Sequence, residues 1–265
     1  MDYADYAGLF DLRSREVVVI GAGSGIGRES AVALAAHGAR VVLADRDEPA
    51  AEATAKLVGD QARIYPLDVL DSAAIEAAAE EFGSASALVF TPAINVRKSM
   101  ENYTDEEFDR VVALNLRASF HLIRHFAPRL ARRGEGSIVA LSSVRASTVE
   151  PGQSVYAATK AGLEQLVKTA AAEFGGRGVR VNAIRPGVVE TPLTVQLARD
   201  EEWSEAYADK TALGRWARAD EIAGAVVFLV SDAASYVTGS ILTVDGGWTA
   251  QDGRYNPPLP GGEAR

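Results

Sequence analysis

The sequence predicts an α/β fold, a single doubly wound parallel sheet of about seven strands with helices on both faces. Short runs rich in Val, Ile and Leu alternate along the chain with longer stretches of helical periodicity. The runs are apolar throughout rather than every second residue, as strands buried on both faces are. No composition shift, internal repeat or low-complexity linker divides the 265 residues, so one domain over 1–265 accounts for them.

The first strand is EVVVI, residues 16–20, which runs into GAGSGIG and a helix over 28–37 closed by Gly38. A strand over 40–44, a helix over 49–58 and a strand over 63–67 come next. A helix over 73–82 leads to ALVF at 87–90, and residues 105–133 read as one long helical stretch bent near Asn115. Beyond it lie a strand over 136–141, a helix through Tyr156 to about residue 174 and a strand over 179–184. A polar helical segment, a helix over 220–230 and a strand over 240–244 complete the set. Residues 1–14 read as an N-terminal arm, and residues 250–265 as a Gly/Pro-rich tail that cannot build a core of its own.

Composition narrows the function. The chain is 48% hydrophobic and 24% charged, with net charge −9 and both signs interspersed, which argues against nucleic-acid and anionic-membrane partners. Cysteine is absent, so neither a disulfide framework nor thiolate chemistry is available. The N-terminus lacks a basic segment followed by an apolar one, and no apolar run reaches the ~20 residues that span a bilayer. A cytoplasmic protein is expected. His37, His121 and His125 all fall in helical stretches and form no ligand cluster, so no metal is expected either.

Gly21, Gly23, Gly25 and Gly27 alternate at the turn between the first strand and the first helix. Their spacing fits G-x-x-x-G-x-G through Gly21, Gly25 and Gly27, and not G-x-G-x-x-G. Glycine lets the backbone turn sharply and approach a ligand, and the helix start offers free N–H groups to a phosphate. Ser24 and Ile26 share this turn. Asp45 ends the second strand, twenty residues after Gly25, where an acid can take the hydroxyls of an adenosine ribose and repel a 2′-phosphate. That favours NAD over NADP. Two alternatives stay open: Arg46 beside it can bind that phosphate instead, and Asp45 can simply cap a helix.

Tyr156 and Lys160 lie four residues apart, on one face of a helix. An ammonium beside a phenol favours the phenolate and moves a poor base toward neutral pH. Ser143, thirteen residues before Tyr156 at a strand end, is in reach to hold a substrate oxygen. A surface helix that merely carries Tyr and Lys would show the same spacing, but the glycine turn upstream weighs against it.

With these residues assembled, the chain resembles the short-chain dehydrogenase/reductase family over nearly its whole length. The resemblance rests on GAGSGIG, Leu67-Asp68-Val69, Asn115 in LNLRAS, Ser143, Tyr156-x-x-x-Lys160, and Arg185-Pro186-Gly187 followed by Thr191. It implies a single Rossmann-type domain. It also implies that Tyr156 is the acid/base, that Ser143 steadies the substrate oxygen, and that Lys160 lowers the phenol pKa and binds the nicotinamide ribose. Asn115 would kink its helix and hold a water that links Lys160 to solvent. Asp68 and Val69 would border the adenine, and Pro186, Val189 and Thr191 the nicotinamide. Two departures stand out. Ile20 replaces the usual Thr before the first glycine, and Phe90-Thr91-Pro92-Ala93 replaces Asn-Asn-Ala-Gly beside the cofactor. Pro92 cannot donate a backbone hydrogen bond, which puts in doubt the local brace and the cofactor contacts of Thr91 and Ala93.

Residues just past the fourth and fifth strands and before Tyr156 should line the substrate side. Asn95, Arg97, Lys98, Arg145, Glu150 and Gln153 make this set polar and partly cationic, and Arg145 is the candidate for an anion site. The expected substrate is a small sugar, sugar acid or polyol. A bulky apolar or acyl-carrier ketone is the alternative within the class, and a non-catalytic dinucleotide sensor the alternative outside it. By the same resemblance, residues 192–213 with Trp203 and Tyr207 would cover the substrate, and the two long helices would pair copies into a homodimer or homotetramer, with the C-terminal tail reaching a neighbouring subunit.

Overall fold

The computed structural model describes residue 6 and residues 8–251. Residues 1–5 of the expected arm and 252–265 of the expected tail, including its reach to a neighbouring subunit, lie outside the described residues. The strands are β1 (Glu16–Ile20), β2 (Arg40–Asp45), β3 (Ala62–Pro66), β4 (Ala87–Phe90), β5 (Gly136–Leu141), β6 (Val179–Pro186) and β7 (Ile241–Val244). They form one seven-stranded sheet in the order β3-β2-β1-β4-β5-β6-β7, with every neighbouring pair parallel. The order reverses between β1 and β4, and a crevice opens there at the carboxyl ends of the strands.

The helices are α1 (Gly25–Ala36), α2 (Glu48–Val58), α3 (Ser72–Glu81), α4 (Asp105–Val112), α5 (Ala118–Arg133), α6 (Ser154–Phe174), α7 (Val195–Ala198), α8 (Glu201–Lys210) and α9 (Asp220–Val230). Successive strand residues face opposite sides, so β1 sends Val18 and Ile20 to one core and Val17 and Val19 to the other. The first core is closed by α3, α5 and α6 through Ile75, Phe126 and Leu163, and the second by α1 and α9 through Leu34 and Val226. Among the described residues no helix is long and apolar enough to cross a membrane.

Several boundaries depart from periodicity. Helix α1 starts at Gly25 rather than residue 28, because Arg28 N–H already donates to Ser24 O at 3.2 Å, so the glycine turn and the helix start coincide. Strand β3 sits one residue earlier than the apolar run indicated, and β7 starts one residue later. Strand β6 runs on to Pro186 because Arg185 and Pro186 still pair with Thr243 and Val244. Strand ends follow the neighbour's register, which no local pattern encodes.

The long helical stretch is split near Asn115, as expected. A π-helical turn over Ala113–Arg117 separates α4 from α5. Thr104 and Glu107 start α4 with a reciprocal capping box, and Lys98 Nζ donates to Glu107 at 2.9 and 3.0 Å.

Candidate active site

The crevice begins at the glycine turn. Gly21 and Gly25 have φ of +83° and +52°, values that favour glycine. Ser24 precedes α1 without forming a side-chain cap, and no acid occupies the first turn, so the free N–H groups and the dipole are left for an anion. Gly27 plays a different part from the one expected. A Cβ there would lie 2.0 Å from Gly21 O, so its role is close packing of α1 on the turn, and Gly27 does not line the crevice.

The unusual segment after β4 is braced. Thr91 N–H donates to Ile20 O at 3.0 Å and continues the β1–β4 ladder, so the missing N–H of Pro92 leaves no gap there. Two residues on, Ile94 N–H donates to Asn115 Oδ1 and Asn115 Nδ2 donates to Ile94 O, both at 2.9 Å. Asn115 is fully buried, and its own main-chain carbonyl accepts from Ser119 Oγ at 2.8 Å.

Asp45 accepts Gly23 N–H at 2.8 Å and Asp47 N–H at 3.0 Å, which ties the end of β2 to the glycine turn. Its alternative reading as a helix cap is corrected: Asp47 caps α2, accepting Ala50 N–H at 3.1 Å. Asp45, Arg46, Asp68 and Val69 line one end of a cleft of about 520 Å³, and Tyr156 and Lys160 line the same cleft elsewhere. Ser24, Ile26, Thr91, Ala93, Pro186 and Thr191 also border it. Val189 does not; its carbonyl is taken by Thr194 Oγ1 at 2.6 Å, a local turn that spacing alone does not reveal. A phosphate turn at a helix start, an acid at the end of β2 and a long cleft fit a nicotinamide dinucleotide.

Helix α6 carries the proton chemistry. Tyr156 and Lys160 are buried one turn apart, and Lys160 Nζ lies 5.8 Å from the Tyr156 ring centroid. Lys160 donates to Leu141 O at 2.7 Å, at the end of β5, immediately before Ser142 and Ser143. Burial holds the ammonium down, at about 8. Burial also pushes the Tyr156 phenol above its ordinary range, opposed by the Ser143 hydroxyl and then by the Arg145 and Arg97 guanidiniums. The two guanidiniums oppose burial at this phenol, and Lys160, 5.8 Å from its ring, directs its hydrogen bond to Leu141.

Tyr156 also lines a second cavity, of about 290 Å³, with Ser143, Asn95, Gln153, Arg97 and Arg145. Two sequence expectations change here. Lys98 is held by Glu107 and does not line this cavity. Arg145 does line it, but it is buried and paired to Glu150, so it is not a free anion site. Glu150 also receives Arg97 at 2.5 Å, and the hydroxyl of Tyr207 on α8 reaches its two oxygens at 2.8 and 2.7 Å. Burial pushes the Glu150 carboxyl up, but Tyr207 and Arg145 together leave it below its ordinary range. Trp248, unnoticed in the sequence, closes the cavity against Val144, Val188, Tyr207 and Trp216.

One further residue was legible and passed over. Glu164 follows Lys160 by four, on the same face of α6, and is buried. It accepts Ser142 Oγ at 2.7 Å and a fork from Arg185 at 2.9 and 2.6 Å, tying the ends of β5 and β6 beneath the site.

A doubly wound sheet, a phosphate turn and a buried Tyr–Lys pair at the crossover define a dinucleotide-dependent oxidoreductase. The family model described as enoyl-(acyl carrier protein) reductase matches residues 21–249. The chain is 42% identical over 252 residues to the galactitol 2-dehydrogenase (L-tagatose-forming) of Cereibacter sphaeroides, covering 92% of this chain and 99% of that protein. It is 40% identical over 248 residues to the D-threitol dehydrogenase of Mycolicibacterium smegmatis, covering 91% and 95%. A crystal structure of a gluconate 5-dehydrogenase from Burkholderia cenocepacia J2315, in complex with NADP and tartrate, superposes with a TM-score of 0.88 at 32% identity, covering 92% of this chain and 98% of that one. The chain belongs to the short-chain dehydrogenase/reductase family, whose members use a nicotinamide cofactor.

Proposed function

We propose that the protein interconverts a secondary alcohol and a ketone on a small polyhydroxylated substrate. The observation that carries this reading is that Tyr156 lines both cavities, the dinucleotide cleft and the polar pocket beside it. The bound nicotinamide supplies the hydride acceptor, or the donor in reverse. In the reductive direction Tyr156 Oη, kept protonated by burial, gives its proton to the substrate oxygen as the carbinol forms. In the oxidative direction it first releases that proton to solvent, and the resulting phenolate takes the one from the carbinol O–H. The Ser143 hydroxyl, held in extended backbone just past β5, donates to the substrate oxygen and carries part of its developing charge. Lys160, which lines the dinucleotide cleft and donates to Leu141 O, would help hold the nicotinamide end of a bound dinucleotide, and Asn115 is a positioning residue that sets the loop at Ile94.

Asp45 favours NAD over NADP, since its carboxylate beside the glycine turn repels a 2′-phosphate. Arg46, which lines the same cleft, is the reason to run both cofactors. The substrate class draws on the polar lining of the smaller pocket and on relatives named for galactitol, threitol and gluconate. The described residues read as one domain, in a cytoplasmic protein. An apolar groove lined by Val112, Leu116, Phe120 and Leu166, between the long helices, supports pairing into a homo-oligomer. The test is optical reduction of NAD and of NADP over a panel of polyols, sugar acids and simple alcohols. Turnover of polyols is expected. Dinucleotide binding without turnover of any alcohol would instead favour a sensor, and preference for an acyl ketone would favour the family's fatty-acid branch.

A further inference from the structure

The smaller cavity is lined by two guanidiniums that share one carboxylate from outside its lining. Arg97 and Arg145 line it, whereas Glu150 does not. Glu150 divides its oxygens between them: Oε1 takes Arg97 Nη1 at 2.5 Å and Oε2 takes Arg145 Nη2. The Tyr207 hydroxyl reaches both oxygens, and Arg97 Nη2 also donates to Tyr207 Oη at 3.2 Å. Aromatic rings fix the guanidiniums from the side. Arg145 Cζ lies 5.1 Å from the Trp248 ring centroid and 5.8 Å from that of Tyr207, and Arg97 Cζ lies 5.4 Å from that of Trp203.

A guanidinium fork is the group that would grip a substrate carboxylate with two parallel hydrogen bonds. Here the protein's own carboxylate already engages both. A substrate carboxylate entering the pocket would have to displace Glu150, whose side chain is only 14% exposed, or sit beside it as a second negative charge. Glu150 is a like charge to any substrate carboxylate, and it lowers the cluster from two positive charges to one. The remaining polar lining, Asn95, Gln153, Thr194 and Gln196, is uncharged and offers donors and acceptors together, as a hydroxylated chain requires. Asn95 Nδ2 donates to Gln153 Oε1 at 2.8 Å, which leaves Asn95 Oδ1 and Gln153 Nε2 without partners among the described residues.

We infer that Glu150 is a specificity-determining residue: by occupying Arg97 and Arg145 it sets the cavity for a neutral polyol and against the sugar acid of the same length. This rests on the dehydrogenase reading above, and it separates two substrate classes that reading leaves together.

The test compares wild type, Glu150→Gln and Tyr207→Phe on a six-carbon alditol and on the aldonate of equal length. Wild type should favour the alditol by about tenfold or more in kcat/KM, the scale of one close charge pair. Glu150→Gln keeps the shape and removes the charge, and should move that ratio toward the aldonate by about tenfold or more, chiefly through KM for the aldonate. Tyr207→Phe removes the hydroxyl from Glu150 without altering charge; both substrates should suffer, with the ratio moving less than about threefold. A wild type that prefers the aldonate, an unmoved ratio in Glu150→Gln, or the same shift in Tyr207→Phe would overturn the inference. If Glu150→Gln does not fold, the wild-type ratio and the Tyr207→Phe ratio still decide. Turnover of neither substrate would overturn the dehydrogenase reading and take this inference with it.

Discussion

Asn115 and Ile94 form a reciprocal pair, with side-chain amide and backbone each giving and taking one hydrogen bond at 2.9 Å. The pair joins the π-helical turn between α4 and α5 to the loop that leaves β4 beside the dinucleotide cleft. It is also what steadies the segment where Pro92 has no N–H to offer.

Asn115→Ala should therefore cost both stability and cofactor binding. Two backbone groups would lose their partner at ~1–3 kcal/mol each. At about 2–4 °C per kcal/mol for a chain of this size, the melting temperature should fall by roughly 4–24 °C. Thermal unfolding followed by circular dichroism, beside a dinucleotide titration, checks both effects. A melting temperature within about a degree of wild type would remove Asn115 from this role.

Lys160 gives a pH dependence with a definite sign. Burial lowers its folded pKa from 10.5 to about 8, so between these values the unfolded chain binds the proton that the folded chain has released. Stability contributed by this site is at its lowest below about 8 and grows as pH rises through the window. Above 10, Tyr156 acts in the opposite sense, because burial raises its pKa and the folded chain keeps a proton that the unfolded chain loses. Urea midpoints from about pH 8 to 10 should rise more in wild type than in Lys160→Met. Parallel curves would contradict the assignment.

At the far end of the cleft, Asp45→Asn keeps an acceptor for Gly23 N–H and removes the charge. The ratio of kcat/KM with NADP to that with NAD should rise by about tenfold or more, as expected when a charge facing a 2′-phosphate is lost. An unchanged ratio would pass the decision to Arg46.

Much of this site was legible because its chemistry is local. The glycine spacing, the Tyr156–Lys160 pair and the bend at Asn115 each lie within one turn or one helix, where spacing dictates geometry. The seven strands were legible for the same reason, as short apolar runs. The arrangement around Glu150 was not. Arg97, Arg145, Glu150 and Tyr207 come from separate segments and meet only once the sheet and α8 are in place, so Arg145 read as a free cation and Lys98 as part of the pocket. The cap reading left open for Asp45 falls instead to Asp47, because ADRDEP offers two aspartates and only the end of β2 decides which one starts α2. Leu141 O, the partner of Lys160, is a backbone group and has no signature in sequence at all.

The central claim is that Tyr156 moves the proton. Steady-state turnover of Tyr156→Phe tests it most directly, with dinucleotide affinity measured on the same preparation. Loss of the phenol should lower kcat by about 10²–10⁴-fold, the usual contribution of one positioned acid or base. Dinucleotide affinity should stay within about threefold, since the phenyl ring remains in place. A variant that retains kcat within about tenfold of wild type, with a folded core and bound cofactor, would contradict the account.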